Sequence, residues 1–206
     1  MDAKQTNTEQ AILDAAEKVF LDKGYVGAKT TDIAKLAGVN HALLHYYFRS
    51  KENLFNVVFE KKADFLLNSF SEAFEQEKPF LEKLKLSIET HFDFIGEMPK
   101  LPMFIIREII SNKERKEFIL SKIMPRGVTI FSRLEKAIEQ EIEKGTICPV
   151  MASNLVLNIA SLNVFAYISA QIFFEDDTDT ENSKFRSFLE QRKRNNVELI
   201  LKGLQP

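Results

Sequence analysis

The chain has 206 residues and a formal net charge of −2, and hydrophobic and charged residues make up 45% and 28% of it. This length and these fractions of hydrophobic and charged residues exclude a disordered chain and fit one large domain or two small ones. Gly and Pro are scarce, at 7 and 6 residues, so helices are expected throughout. The single cysteine, Cys148, excludes an intrachain disulfide and fits a reducing compartment, the cytoplasm.

The first two predicted helices lie in the N-terminal region. The segment "TEQAILDAAEKVFLDKGY" places its apolar residues on one stripe and predicts a helix that ends near Gly24. The segment "TTDIAKLAGV" predicts a short second helix with Thr30 or Thr31 as its N-terminal cap, because threonine is a good N-cap residue. Gly38 is expected to end it, since glycine readily adopts the backbone conformation that follows a helix.

The segment "HALLHYYF" predicts a third helix, with Asn40 as its cap. Leu44 and Phe48 share one face and are expected to be buried. The opposite side carries His41, Ala42, His45 and Tyr46. Two helices joined by a short glycine turn, after a longer helix, predict a helix-turn-helix.

Residues 28–51 carry a local positive charge. Four basic residues stand against one acidic residue, Asp32, which gives +3; they are Lys29, Lys35, Arg49 and Lys51. A phosphate-facing surface needs such a balance. Imidazoles can donate or accept hydrogen bonds at base edges, and phenols can donate to phosphates. The exposed side of the third helix is therefore predicted to read DNA in the major groove.

The rest of the chain predicts further helices and no strand. They are expected at about residues 50 to the early 70s, 79–98, 103–111, 113–120, 128–145, 149–174 and 181–204. Pro125 is expected to separate two of them, and residues 175–182, "EDDTDTEN", to form an acidic loop. The predicted fold is all-α, with a three-helix helix-turn-helix domain at residues 1–53 and a larger helical domain at residues 54–206.

The apolar run at residues 155–174 is long enough to cross a bilayer. Asn158, Asn163 and Gln171 interrupt it, so a buried helix is the better interpretation and no membrane partner is expected. A helix that is apolar on all sides must be covered on all sides. One flank is expected to face its own domain, and the other a second copy of the chain, with the last helix, as a four-helix dimer interface.

Phenylalanine is unusually common, at 18 residues, and many of these lie in the C-terminal part among isolated polar residues. Each polar residue taken alone is best explained as a satisfied group in an ordinary core. Together they indicate an apolar cavity with a few polar anchors. Arg107 would suit an anionic ligand, and Glu97 or Glu108 a cationic one. The candidate ligand-binding residues are Phe92, Ile95, Met103, Phe104, Arg107, Phe131, Asn158, Leu162 and Phe165.

Metal and catalytic sites receive less support. His41 and His45 have the spacing of a helical zinc pair, but the sequence offers no evident third ligand. The acidic loop lacks the glycine and the final glutamate of a calcium loop. The chain shows no nucleophile–base pair and no glycine-rich phosphate loop. The sequence therefore predicts no cofactor, no metal and no enzymatic activity.

The segment "TTDIAKLAGVNHALLHYYFRSKENLF" resembles the DNA-binding signature of the TetR/AcrR family of bacterial repressors, and the match covers about residues 8–58. The resemblance implies that Thr30 and Thr31 touch DNA, and that Tyr47 and Lys51 hold phosphates. The residues implied to lie in or beside the groove are His41, Ala42, Leu43, His45 and Tyr46. The family often has Gly-Thr-Leu-Tyr where this chain has Ala-Leu-Leu-His, so the operator cannot be inferred from a relative.

The resemblance also implies a homodimer that binds a double-stranded operator and leaves it when a small apolar or amphipathic effector enters the larger domain. The sequence does not encode the sign of regulation, so an activator stays open. An architectural DNA-binding protein without a ligand is the alternative, and an enzyme that uses the C-terminal pocket is less favoured.

Overall fold

A computed structural model describes residues 3–174 and 183–206 of the chain. These residues form nine α-helices and no strand, which confirms the all-α prediction. The helices are α1 (Ala3–Gly27), α2 (Thr30–Leu36), α3 (His41–Phe48), α4 (Lys51–Glu75), α5 (Phe80–Glu97), α6 (Leu101–Ser111), α7 (Lys113–Glu143), α8 (Ala152–Phe173) and α9 (Ser183–Lys202). The predicted acidic loop at residues 175–182 lies outside the described residues.

The chain forms two compact units. Of the described residues, the first unit contains those within 1–65 and 100–123, and the second contains those within 66–99 and 124–206. These bounds differ from the predicted division after residue 53. Aromatic packing explains the difference, because Phe55 on α4 lies 5.4 Å from Phe20 and 5.8 Å from Phe104 between ring centroids. The start of α4 and all of α6 therefore share one core with the helix-turn-helix.

Helix α7 is longer than predicted. The sequence suggested separate helices on either side of Pro125, but α7 runs unbroken from Lys113 to Glu143 with Pro125 inside it. Proline removes one backbone N–H from the hydrogen-bond ladder and does not always end a helix. The boundary between the two units falls between Ile123 and Met124, next to this proline. Pro125 thus marks where α7 passes from one core to the other.

The core of the second unit is built from α5, α7, α8 and α9. Leu84 and Ile88 lie one turn apart on α5 and are fully buried, as the predicted apolar stripe requires. They belong to a cluster that also holds Leu134, Leu155, Ile159, Val197, Ile200 and Leu204. Burial of each such side chain contributes about 1.5–3 kcal/mol.

Helix α8 is buried on one side only. Among the described residues it is the one helix long and apolar enough to cross a membrane. The core helix of a soluble protein can meet the same criterion. Its inner side, which includes Leu155, Ile159 and Asn163, is buried in the second unit, whereas Leu157 and Phe165 are 66% and 63% exposed.

Replacing Gly96 with alanine should destabilise the protein by about 1–3 kcal/mol, because the added Cβ would collide with the hydroxyl of buried Tyr167. The better helix propensity of alanine offsets part of this loss. Chemical denaturation would measure the change. Removal of the hydroxyl in Gly96→Ala/Tyr167→Phe should restore most of the stability, with Tyr167→Phe alone as the control. A Gly96→Ala protein as stable as the wild type would show that the Tyr167 ring can move away from the added Cβ without cost.

Candidate nucleic-acid interface and ligand cavity

The turn between α2 and α3 has the predicted chemistry. Gly38 adopts a φ of 69°, which favours glycine because it has no Cβ. The Asn40 side chain accepts a hydrogen bond from the Leu43 N–H at 2.8 Å and so caps α3. Ser50 caps α4 in the same way, through the Asn53 N–H at 3.0 Å. Local sequence thus sets where the recognition helix begins and where the next helix follows it.

The two sides of α3 separate as predicted. Leu44 and Phe48 are buried in the first unit. Tyr46 is 72% exposed, and His41, Ala42 and His45 are also exposed, while Leu43 and Tyr47 are half-buried. This helix therefore presents two imidazoles and a phenol on one accessible surface.

The N-termini of α2 and α3 are joined by a hydrogen bond. The Thr30 hydroxyl lies 2.9 Å from Nε2 of His41, and Thr31 beside it is exposed. Lys23 forms a 2.7 Å ion pair with Asp32 in the first turn of α2. The hydrogen bond from Lys23 lowers the pKa of Asp32 below its ordinary value. These contacts hold α2 against α1 and α3, which fixes the orientation of the exposed residues.

Lys51 has a contact that sequence reasoning missed. Its ammonium donates to the backbone carbonyl of Ala28 at 2.8 Å and that of Val26 at 3.5 Å. It also lies 4.6 Å from the centroid of the Tyr25 ring. Burial lowers the pKa of Lys51, and the Arg115 guanidinium lowers it further. The side chain predicted to hold a phosphate thus binds one carbonyl in the last turn of α1 and one directly after it.

A buried carboxylate joins α6 and α7 to the end of α1 within the first unit. Glu108 is 3% exposed and accepts the Tyr25 backbone N–H at 3.1 Å and the Arg115 Nε–H at 2.6 Å. Arg115 also lies over the Tyr25 ring, at 4.3 Å. Glu108 was predicted as a possible anchor for a cationic ligand. In the structure, both carboxylate oxygens of Glu108 instead accept hydrogen bonds from N–H groups of the protein itself.

A cavity of about 220 Å³ lies within the second unit. Its described lining comes from α4, α5, α7 and α8 and is mainly apolar, with Ser87 and His91 as its polar side chains. The lining residues are Leu67, Phe74, Leu84, Ser87, His91, Gly127, Ile130, Phe131, Leu134, Val156, Ile159 and Ala160. The space has the character of a small-molecule site.

The structure distributes the nine predicted ligand residues over several places. Phe131 lines the cavity. Phe92 and Ile95 are buried in α5, Asn158 and Leu162 line a separate groove beside α9, and Phe165 is exposed. Those in the first unit are Met103, Phe104 and Arg107. Sequence reasoning grouped them by composition, which does not report where side chains point.

A chain of hydrogen bonds leads from the cavity to α9. His91 Nδ1 lies 3.2 Å from Nδ2 of Asn163, which also donates to the Ile88 carbonyl at 2.9 Å. Asn163 is fully buried, and its Oδ1 accepts from Asn196 Nδ2 at 3.0 Å. The Oδ1 of Asn196 accepts from Arg192 at 3.1 Å. Burial lowers the pKa of His91 from 6.5 to about 4, so its ring is neutral at pH 7.

A capped helix-turn-helix whose third helix exposes two imidazoles and a phenol is typical of a DNA-binding domain. Residues 12–58 match the sequence model of "Bacterial regulatory proteins, tetR family". Residues 12–58 thus form a DNA-binding domain of the TetR family of bacterial regulatory proteins.

Three relatives illustrate the similarity. The transcriptional activator FasR of Mycolicibacterium smegmatis is 34% identical over 84 residues, which are 41% of this chain and 38% of that protein, so the alignment spans less than half of the relative. The structure of HlyIIR, a hemolysin II transcriptional regulator, has a TM-score of 0.65 and 27% identity over 98% of this chain and 99% of that one. FadR of Bacillus subtilis, in complex with stearoyl-CoA, has a TM-score of 0.68 and 23% identity over 94% and 98% of the two chains and shows the fold.

Proposed function

We propose that this protein is a sequence-specific DNA-binding regulator that represses transcription and leaves its operator when a small apolar or amphipathic ligand binds. Its role is binding and not catalysis, and it acts in the cytoplasm. The observation that carries the proposal is the exposed side of α3, where Tyr46 is 72% exposed beside His41 and His45. The Asn40 cap and the Thr30–His41 hydrogen bond orient this surface before DNA arrives.

The proposed DNA contacts follow from the position of each residue on α2, α3 and the start of α4. Side chains of α3 reach base edges, and Thr30, Thr31 and Tyr47 contact the backbone. Lys51 reaches a phosphate only by exchanging the carbonyls of Val26 and Ala28 for it. The base-reading residues are His41, Ala42, Leu43, His45 and Tyr46.

The regulator is proposed to act as a homodimer through α8 and α9. Leu157 and Phe165 on α8 and Leu199 on α9 are each more than 60% exposed. Large apolar side chains on neighbouring helices are typical of a surface that a partner covers. A second copy would create a four-helix interface and place two recognition helices on two half-sites of an operator.

If a ligand is to release the protein from DNA, a structural change in the second unit must reach the DNA-binding surface. Helices α4 and α7 each contribute residues to both units. We propose that a ligand in the cavity shifts these helices and changes the separation of the two recognition helices, so that both half-sites no longer fit at once. A ligand that binds tightly without changing operator affinity would contradict this mechanism.

Tyr46→Ala and His45→Ala should each weaken specific DNA binding by about 1–3 kcal/mol, because each removes a side chain that reaches the groove. Fluorescence anisotropy would compare a duplex from upstream of the protein's own gene with a shuffled duplex at two salt concentrations. Gln140→Ala, on the exposed side of α7 in the second unit, is the control. Equal affinities of all variants for the preferred duplex would exclude the assignment.

A further inference from the structure

A hydrogen bond joins two residues that are proposed to contact different parts of the DNA. Thr30 Oγ1 lies 2.9 Å from Nε2 of His41, and this bond connects the first residue of α2 to the first residue of α3. Thr30 is half-buried, whereas His41 is exposed. A hydroxyl has a single proton, so a contact between Thr30 and the DNA backbone determines which hydrogen bonds the His41 ring can make.

The Thr30 hydroxyl does not cap α2. The helix begins at Thr30, and Lys29 occupies the N-cap position without a side-chain cap, so the threonine cap predicted from the sequence is wrong. Among the described residues, the hydroxyl has no hydrogen-bond partner other than the His41 ring. The exposed side chain of Lys29 directly precedes Thr30, and its positive charge attracts a phosphate to this place.

A phosphate contact fixes the direction of this hydrogen bond. In the protein without DNA, either the hydroxyl or the ring can be the donor. A phosphate oxygen only accepts, so Thr30 must donate its one proton to the phosphate when it contacts the DNA backbone. The Thr30 oxygen then accepts from His41. The proton of the neutral imidazole is thus held on Nε2, and Nδ1 becomes an acceptor.

An acceptor at Nδ1 distinguishes the two orientations of a base pair in the major groove. Each pair presents one exocyclic amino group there, at N6 of adenine or N4 of cytosine, and its other polar atoms are acceptors. Inverting the pair places an acceptor where the amino group was. Two acceptors that face each other lose their hydration without forming a hydrogen bond. His41 therefore favours one orientation as long as its proton stays on Nε2.

We propose that His41 accepts a hydrogen bond from the exocyclic amino group of an adenine or cytosine in the operator, and that the Thr30 hydroxyl, bound to a phosphate, holds the tautomer that makes this contact specific. The inference rests on the proposed function and deepens it, since it names the group on the DNA that one residue of α3 recognises. Thr30 is then a positioning residue for His41 as well as a contact to the DNA backbone.

Selection from randomised duplexes with the full-length protein would give its preferred sequence, and the same selection with His41→Ala would reveal the base pair whose preference depends on His41. At that pair, an analogue without the amino group, purine for adenine or 2-pyrimidinone for cytosine, should weaken wild-type binding about fivefold or more. The analogue should cost His41→Ala much less, since that variant makes no contact with the amino group. An equal loss for both proteins would overturn the proposal.

Thr30→Val tests the positioning role. Without the hydroxyl the proton can move to Nδ1, so the preference for the selected pair over the inverted pair should fall about threefold or more. Thr30→Ser keeps the hydroxyl and should keep the preference. Thr31→Val removes the neighbouring hydroxyl and should weaken binding to both duplexes alike. A Thr30→Val protein with the wild-type preference would overturn the proposal, and Thr30→Ala, which also lacks the hydroxyl, serves if the valine variant does not fold.

The outcome of the selection separates this inference from the proposed function. A wild-type protein that selects no sequence from the randomised duplexes would refute the sequence-specific regulator, and the role of His41 with it. A protein that selects a sequence, but whose preferences are the same in His41→Ala at every base pair, would refute the role of His41 alone.

Discussion

Replacing Glu108 with alanine should lower the free energy of unfolding by about 3–5 kcal/mol, because the change leaves a partly buried guanidinium without its carboxylate. Glu108 satisfies the Tyr25 N–H and Arg115 Nε–H, at 3.1 and 2.6 Å, and it is 3% exposed. Without it, both donors remain in the core of the first unit with no equivalent partner. Urea denaturation of the full chain, followed by circular dichroism, would measure the loss.

Two comparisons make this result specific. Glu114→Ala removes an exposed carboxylate from the first turn of α7 and should change stability by about 0.5 kcal/mol or less. In a double-mutant cycle with Arg115→Ala, the double variant should lose less stability than the sum of the two single losses, because neither charge is then left unpaired. Strictly additive losses would show that Glu108 and Arg115 have no interaction free energy in the folded protein.

The stability of the protein should fall as the pH drops from 7.5 to 5. Burial lowers the pKa of His91 in the folded state from 6.5 to about 4. Between these values the unfolded chain binds the proton and the folded chain does not. Stability is therefore fully present above pH 6.5 and is lost as the pH falls toward 4. The loss at pH 5 that is due to His91 should be about 2 kcal/mol.

His91→Gln should flatten this acid dependence, because glutamine does not titrate. His45→Gln, the same substitution on an exposed histidine of α3, should keep the wild-type dependence. Denaturation midpoints at several pH values between 7.5 and 4.5 would give both curves. Parallel curves for His91→Gln and the wild type would show that His91 is not held neutral in the folded protein.

The features that could be predicted from sequence are local ones. The Asn40 and Ser50 caps, the turn at Gly38 and the burial of Leu44 and Phe48 each depend on residues within a few positions. The periodicity of hydrophobic residues and the capping of helix ends both act over a few positions. The order of the residues alone therefore predicts correctly which side of the recognition helix is exposed.

The features that could not be predicted join distant residues. Glu108 meets Tyr25 across 83 positions, and Asn163 meets His91 across 72. No periodic pattern reports such pairings, because they arise only when separate helices pack. The course of α7 through Pro125 has a similar origin, since packing of the flanking turns outweighs the loss of one backbone donor. The cavity likewise depends on side-chain directions that composition does not contain.

The exposed apolar side of α8 links the stability of the protein to its concentration. If a second copy covers Leu157 and Phe165, folding and association become one equilibrium, governed by mass action. The melting temperature then rises with protein concentration. A cell that makes more of this protein also makes each copy more resistant to unfolding, whereas dilution exposes the apolar surface and hastens the removal of the last few copies.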